Sequence, residues 1–369
     1  MPIRKAEDVF IVDTDVHADD PPAALAPYCE MPWRRALENM AANYRGYYAI
    51  PGYSPFLPLD PVFPEEGFGA RLTGTPQKMR HELDKLNIDV GILFPNHMLY
   101  MPMLPDPNYA AALCRAYNDR LLDFWLRDTK GLKGVLVVPP QDPKAAVREI
   151  ERYAKEPDVV GICLSTAGVD PLYGNVFYDP IYQAAQDANL PVTLHSIEAV
   201  HPAFPFNLHK YETSLARHTI SHSFSLMANL ISIVNTGVPV RFPGVKIGFF
   251  EGGISWVPFL MYRMDKEYLT RRREVPFLEK PPSEYIKGFY YGTQPIEEPE
   301  PLSHLVDVFK LYDGENNTMF ASDWPHYDFD HPNQILRAPF SDEAKRKIMG
   351  ETAIRFFNLD PEVANGYTY

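Results

Sequence analysis

Aspartate, glutamate and histidine follow the ends of several short apolar runs in this chain, and these residue types supply the nitrogen and oxygen ligands of catalytic metal ions. The first run leads into Asp13-Thr14-Asp15-Val16-His17 and the second into Pro95-Asn96-His97. The fifth ends at Leu194-His195-Ser196, the sixth at Phe250-Glu251-Gly252, and the eighth at Ser322-Asp323-Trp324-Pro325-His326. Asp15 and His17 are two residues apart, so on a strand both side chains leave one face and can converge on one ion. A single such residue at a strand end is more often a cap or a hydrogen-bonded turn residue. Four strand ends presenting ligand types together point instead to a metal site of imidazole and carboxylate ligands, suited to Zn, Fe or Mn.

The elements that must position these residues alternate. Apolar, strand-like runs cover residues 9–14, 88–94, 133–138, 159–165, 190–195, 245–251, 288–292 and 318–323. Between them lie helix-period segments. Thr75-Pro76, Asp106-Pro107, Asp142-Pro143 and Asp179-Pro180 each read as a cap followed by a first-turn proline, opening helices over 77–86, 108–127, 144–155 and 181–189. Later helices are expected over 222–236, 255–268 and 303–312, with Ser341-Asp342 starting a C-terminal helical tail. Helices between strands force parallel pairing, and eight such units close into an α/β, (β/α)8 TIM-type barrel whose chemistry sits at the C-terminal ends of the strands. An open doubly wound sheet is the competing architecture, but no glycine-rich phosphate turn follows the first strand. Residues 1–369 read as one barrel domain. Residues 20–74, rich in proline and aromatics, are too long for an ordinary strand-to-helix connection and are expected to be an insertion over the barrel mouth. Its Tyr47, Tyr48, Tyr53 and Phe56 would line a substrate pocket or simply cover the barrel.

The charge balance of 35 basic against 48 acidic residues excludes a nucleic-acid partner, which needs a basic face. It suits a protein that takes up a small molecule. Three widely spaced cysteines (Cys29, Cys114, Cys163) form neither a disulfide framework nor a thiolate site, and a reduced cytoplasmic setting is expected. Residues 221–240 carry no Asp, Glu, Lys or Arg. Leu226, Leu230 and Ile233 nevertheless repeat at helical spacing among serines, asparagines and His222, which reads as a buried core helix and no membrane span.

The segments VDTDVHADDPP at the first strand, LPVTLHS at the fifth, VRFPGVKIGFFEGGISWVPFLMYRMD through the sixth and MFASDWPHYDFD at the eighth resemble the amidohydrolase-related branch of the amidohydrolase superfamily. That family includes resorcylate and aminocarboxymuconate-semialdehyde decarboxylases and lignin-fragment hydrolases. The resemblance implies that His17 is the second of the paired first-strand ligands, His195 the fifth-strand ligand and Asp323 the eighth-strand carboxylate. Two positions depart from the decarboxylase pattern: Asp15-x-His17 replaces His-x-His, and Glu251 replaces a catalytic histidine after strand 6.

These departures enlarge the expected metal set to Asp15, His17, His195, Glu251 and Asp323, with His222 as a sixth, around one or two divalent ions. Three neighbouring carboxylates would repel one another without cations. Glu251 is either a ligand or a residue that orients one. The first expectation is a metal-dependent enzyme that hydrolyses or decarboxylates a small organic acid, with a metal-bound water as the hydrolytic nucleophile. Asp323 would accept the water's proton and His222 or His326 would protonate the leaving group. The carboxylate excess also resembles dinuclear Fe/Fe or Mn/Fe monooxygenases of the superfamily, and a third reading is an inactive barrel subunit paired with an active homologue. The expected partners are a small carboxylate substrate and a second copy of the chain. His218, four residues before His222, reads as a helix-surface residue, and Asp328, Asp330 and His331 as loop hydrogen-bonding residues.

Overall fold

The computed structural model describes residues 2–18, 20–42, 74–166, 168–197, 210–326 and 328–364. Tyr47, Tyr48, Tyr53 and Phe56 lie outside the described residues, as does most of the segment expected to cover the mouth. Eight parallel strands pair in sequence order: β1 (Val12–Ala18), β2 (Val90–Pro95), β3 (Leu132–Val137), β4 (Val159–Ser165), β5 (Val192–His195), β6 (Ile247–Phe250), β7 (Tyr290–Gly292) and β8 (Thr318–Met319). Main-chain bonds close the seam between the eighth strand and the first. Thr14 N–H donates to the Phe320 carbonyl (3.0 Å), Asp323 N–H to that of Asp15 (2.9 Å), and His17 N–H to that of Trp324 (2.7 Å). The fold is therefore a (β/α)8 barrel, and its closing seam places the Asp15–His17 segment beside Asp323.

Two apolar clusters hold this frame. Val12, Ile92, Phe94, Val135, Cys163, Phe250 and Met319 fill the interior with Phe356 and Phe357 of the C-terminal helix Thr352–Phe357. A larger cluster lies between strands and helices and includes Trp125, Tyr173, Tyr182, Leu226, Leu230 and Ile233. Strands buried on both faces need no polar alternation, which is why these runs read as continuous apolar stretches.

Thr75, Asp106 and Asp142 do accept hydrogen bonds from the first-turn amides of helices Pro76–Lys85, Pro107–Arg120 and Pro143–Tyr153. Asp179 does not cap; it is the first residue of helix Asp179–Asp187, and its two oxygens take Arg241 Nη2 (2.8 Å) and Nε (3.0 Å). The helix expected over 108–127 runs to Arg120 and continues as a wider π-helical turn, Leu121–Leu126. The helix expected to begin at His222 spans Ser214–Asn235, because Thr213 caps it nine residues ahead of His222. Strand β1 is displaced toward its polar end: the apolarity predicts a strand over 9–14, but the strand runs Val12–Ala18, all seven residues buried, and pairs with β2 across an irregularity between Asp13 and Val16. Strand β8 stops at Met319, well before Asp323. No helix among the described residues is long and apolar enough to cross a membrane.

Candidate metal centre

Asp15 and His17 leave β1, His195 ends β5, and Asp323 and His326 follow β8. The Nε2 atom of His17 lies 2.9 Å from Asp323 Oδ1 and 3.3 Å from Asp15 Oδ1. His195 Nε2 lies 3.1 Å from the same Asp15 oxygen, and His326 Nδ1 lies 2.6 Å from Asp323 Oδ1. Two overlapping groups result, Asp15–His17–His195 and His17–Asp323–His326, and in each the potential ligand atoms lie within 4.8 Å of one another. Only His326 is partly exposed; the other four side chains are buried.

The opposite ring nitrogens fix how the two inner imidazoles face the centre. His17 Nδ1 contacts the Pro95 carbonyl and His195 Nδ1 the Ser196 carbonyl, both at 2.7 Å. A carbonyl only accepts, so each Nδ1 carries the proton, and in the neutral ring each Nε2 lone pair points at carboxylate oxygens. A lone pair against an anion at 3 Å is repulsive unless a proton or a metal cation lies between them. His17 Nε2 and Asp15 Oδ2 are both buried without a hydrogen-bond partner. This donor set fits a divalent cation bound by nitrogen and oxygen.

Electrostatics in the absence of a cation point the same way. Burial would lower the pKa of His17, but contacts with Asp15 and Asp323 outweigh it and hold the group well above its usual value. His195 is raised too, burial being overcome by the charges of Asp15 and Glu251. Burial pushes Asp323 up, yet the His326 charge and the His17 contact leave it below the ordinary carboxylate range; Asp15 is lowered likewise, burial being outweighed chiefly by His195. Protons on imidazole thus occupy the place of a metal charge, and metal must displace them. The sign follows. His17 and His195 bind protons more tightly than a free imidazole, so Mn(II) affinity is expected to rise with pH, by about tenfold per unit for each proton displaced. Calorimetric titration at several pH values checks this, and a flat profile contradicts it.

Glu251 and His222 stand outside this core. Glu251 Oε2 is 3.2 Å from His195 Nδ1, the ring nitrogen facing away from Asp15, and Oε1 is 3.4 Å from His222 Nδ1. Neither residue joins a described ligand group. The six residues expected around the metal therefore divide into Asp15, His17, His195 and Asp323, linked through the two groups that share His17, and two that stand behind them, Glu251 at His195 Nδ1 and His222 at Glu251. Ser196 Oγ also meets His222 at Nδ1 (3.0 Å), the nitrogen that Glu251 approaches, so Ser196, His222 and Glu251 lack the opposite-nitrogen arrangement of a proton-relay triad. The overlap of the two groups at His17 limits the ion count: with Nδ1 committed to Pro95, His17 has one nitrogen to give and cannot serve two separate sites.

Glu251 (φ 59°) and Asp323 (φ 63°) both adopt the left-handed backbone region, which costs a non-glycine residue roughly 1–2 kcal/mol. Such strain persists where surrounding structure enforces it, commonly at functional sites. Burial and the Asp323 charge also push the Glu251 carboxyl well above its usual pKa.

Other polar residues are placed elsewhere. His97 Nδ1 pairs with the buried Asp20 (3.3 Å). His218 is partly exposed on its helix, its ring 4.8 Å from that of His222 and its Nε2 3.5 Å from Asp328. Asp330 accepts from Ile296 N–H (2.7 Å) and Gln334 (2.9 Å), and His331 Nδ1 accepts from Asn333 N–H (3.1 Å). Three further residues support the site without being candidate ligands. Asp13 accepts from Ser322 N–H (2.9 Å), Ser322 Oγ–H (2.5 Å) and Asp15 N–H (3.1 Å), and burial raises its carboxyl to about 7. Asn96 Oδ1 lies 3.4 Å from His326 Nε2, and Gln294, past β7, donates to Asp323. Asp13 was readable as a third member of the period-two series ending in His17; Gln294 gave only a polar residue past the seventh strand.

A (β/α)8 barrel with histidine and carboxylate ligands at its strand ends defines a class of metal-dependent enzymes. The amidohydrolase family profile matches residues 75–359, and the chain belongs to that family. It is 24% identical over 325 residues to gamma-resorcylate decarboxylase of Polaromonas sp. (strain JS666), covering 85% of this chain and 95% of that protein. Among solved structures, it resembles the dihydroxybenzoic acid decarboxylase of Polaromonas sp. JS666 with bound manganese and 2-nitroresorcinol (TM-score 0.72, 19% identity, 95% of this chain and 97% of the other). It also resembles 5-carboxyvanillate decarboxylase of Sphingomonas paucimobilis (TM-score 0.69, 20% identity, 95% and 100%).

Proposed function

We propose that this protein is a divalent-metal-dependent decarboxylase of a small hydroxylated aromatic acid. The carrying observation is the convergence of His17 Nε2, His195 Nε2, Asp15 Oδ1 and Asp323 Oδ1 at the seam of the barrel. These four residues would hold the cation, and manganese is the ion bound in the similar dihydroxybenzoic acid decarboxylase. When bound, the cation supplies positive charge that binds and orients the substrate's anionic oxygens.

In decarboxylation the bond between ring carbon and carboxylate breaks, CO2 leaves, and the electron pair on the ring carbon takes a proton. His326, partly exposed and hydrogen-bonded to Asp323 Oδ1, is the proposed proton carrier. That role was expected of either His222 or His326, and only His326 reaches the central carboxylate directly. His222 and Ser196 anchor Glu251, which in turn restrains His195. Glu251 stands where the decarboxylase pattern has histidine; its raised pKa lets a carboxyl hold a proton there, as an imidazolium would.

The test is CO2 release by Mn(II)-loaded protein from 2,6-dihydroxybenzoate and 5-carboxyvanillate. Turnover independent of O2 and abolished by a chelator supports the reading. Inactivity toward a panel of hydroxybenzoates, or a requirement for O2, contradicts it. Self-association belongs to the same proposal, supported by Phe259, Tyr262 and Leu269, which form an exposed apolar stripe on helix Trp256–Arg271. A dimer mass by sedimentation is expected, and a monomer contradicts it.

A further inference from the structure

Gln294 is buried, stands two residues beyond β7, and points its amide at the proposed metal carboxylate. Its Nε2 donates to Asp323 Oδ2 (3.3 Å), the oxygen not shared with His17 and His326. The opposite amide orientation would set two acceptors against each other, so the carboxylate fixes which end faces it. The Oε1 atom is buried without a hydrogen-bond partner. Leaving a buried acceptor unsatisfied is unfavourable, a penalty that an apolar side chain of similar size avoids. Packing alone therefore does not account for an amide here. Its main chain is also engaged: the Gln294 carbonyl accepts from Gly253 N–H (3.2 Å), two residues after Glu251.

We infer that Gln294 is a positioning residue that orients Asp323 for metal binding, an inference that rests on the metal reading above. A carboxylate held at one oxygen presents the other in a fixed direction; released, it rotates and can offer both oxygens or neither. Gln294 holds Oδ2, so Oδ1 faces His17, His326 and the cation. By its carbonyl it also ties the loop of Glu251 to the same point. Two strained strand ends, at Glu251 and Asp323, thus meet on a residue that contributes no ligand itself.

The experiment compares Mn(II) binding and Mn(II) electron paramagnetic resonance of the full-length parent, Gln294→Leu and Gln294→Glu. Loss of a residue that orients a metal ligand typically costs 10–100-fold in affinity. Gln294→Leu is expected to weaken Mn(II) binding within that range and to alter the spectral line shape, with metal-free thermal unfolding close to that of the parent. Gln294→Glu, nearly isosteric, replaces the donor with an acceptor beside Asp323 and decides the matter if the leucine variant does not fold; the same direction of change is expected. Affinity within twofold of the parent, or an unchanged spectrum in the folded variant, overturns the inference. A parent that binds Mn(II) but decarboxylates nothing would defeat the proposed activity and leave this inference standing.

Discussion

His17→Ala is expected to lose the metal ion and, with it, turnover by at least about a thousandfold, on the scale of removing a principal source of transition-state charge stabilisation. His17 belongs to both groups of converging ligand atoms, so its loss opens both. The remaining Asp15 and Asp323 carboxylates would then face one another across a cavity with the imidazole they share gone. The backbone should tolerate the change: the His17 amide bonds to Trp324 through the main chain, and alanine keeps that bond. Metal content after dialysis, measured beside the far-ultraviolet circular dichroism spectrum, separates loss of the ion from loss of the fold. A variant that retains stoichiometric metal contradicts the assignment.

The second large effect is expected at Asp323→Asn. The substitution keeps size and one oxygen but removes the negative charge that holds His17 and His326. It also replaces one acceptor with an amide donor, which Gln294 Nε2 or the His326 ring nitrogen would then meet. Turnover should fall by roughly a thousandfold, while metal affinity falls less than in His17→Ala because an amide oxygen can still ligate. Single-turnover kinetics at saturating Mn(II) distinguishes the two effects. Equal loss of binding and turnover in both variants would show that Asp323 acts only as a ligand and takes no part in proton transfer with His326.

The barrel was legible because eight apolar runs alternate with capped helices, and Asp15, His17, His195 and Asp323 were legible because strand ends are where such a fold gathers chemistry. What the residues could not reveal arises from closure. Apolarity alone truncated β1, since a strand buried at the seam carries Asp13, Asp15 and His17 inside and reads as polar. Glu251 and His222 had the right residue types, but the orientation of the His195 ring places Glu251 at its far nitrogen with His222 against Glu251, and no sequence spacing encodes that. Asp13 and Ser322 are 309 positions apart and meet only because the first and last strands are neighbours. Gln294 and Asp323 are 29 apart and meet because β7 and β8 pair. Asp179 carried a strong capping signature, yet Arg241, 62 residues away, claimed its carboxylate.

The decisive measurement is the anomalous difference density of crystals grown with Mn(II). One peak is predicted within ligand distance, about 2.0–2.3 Å, of His17 Nε2, His195 Nε2, an Asp15 oxygen and Asp323 Oδ1. No peak among these residues, or an ion held instead by Glu251 and His222, would contradict it.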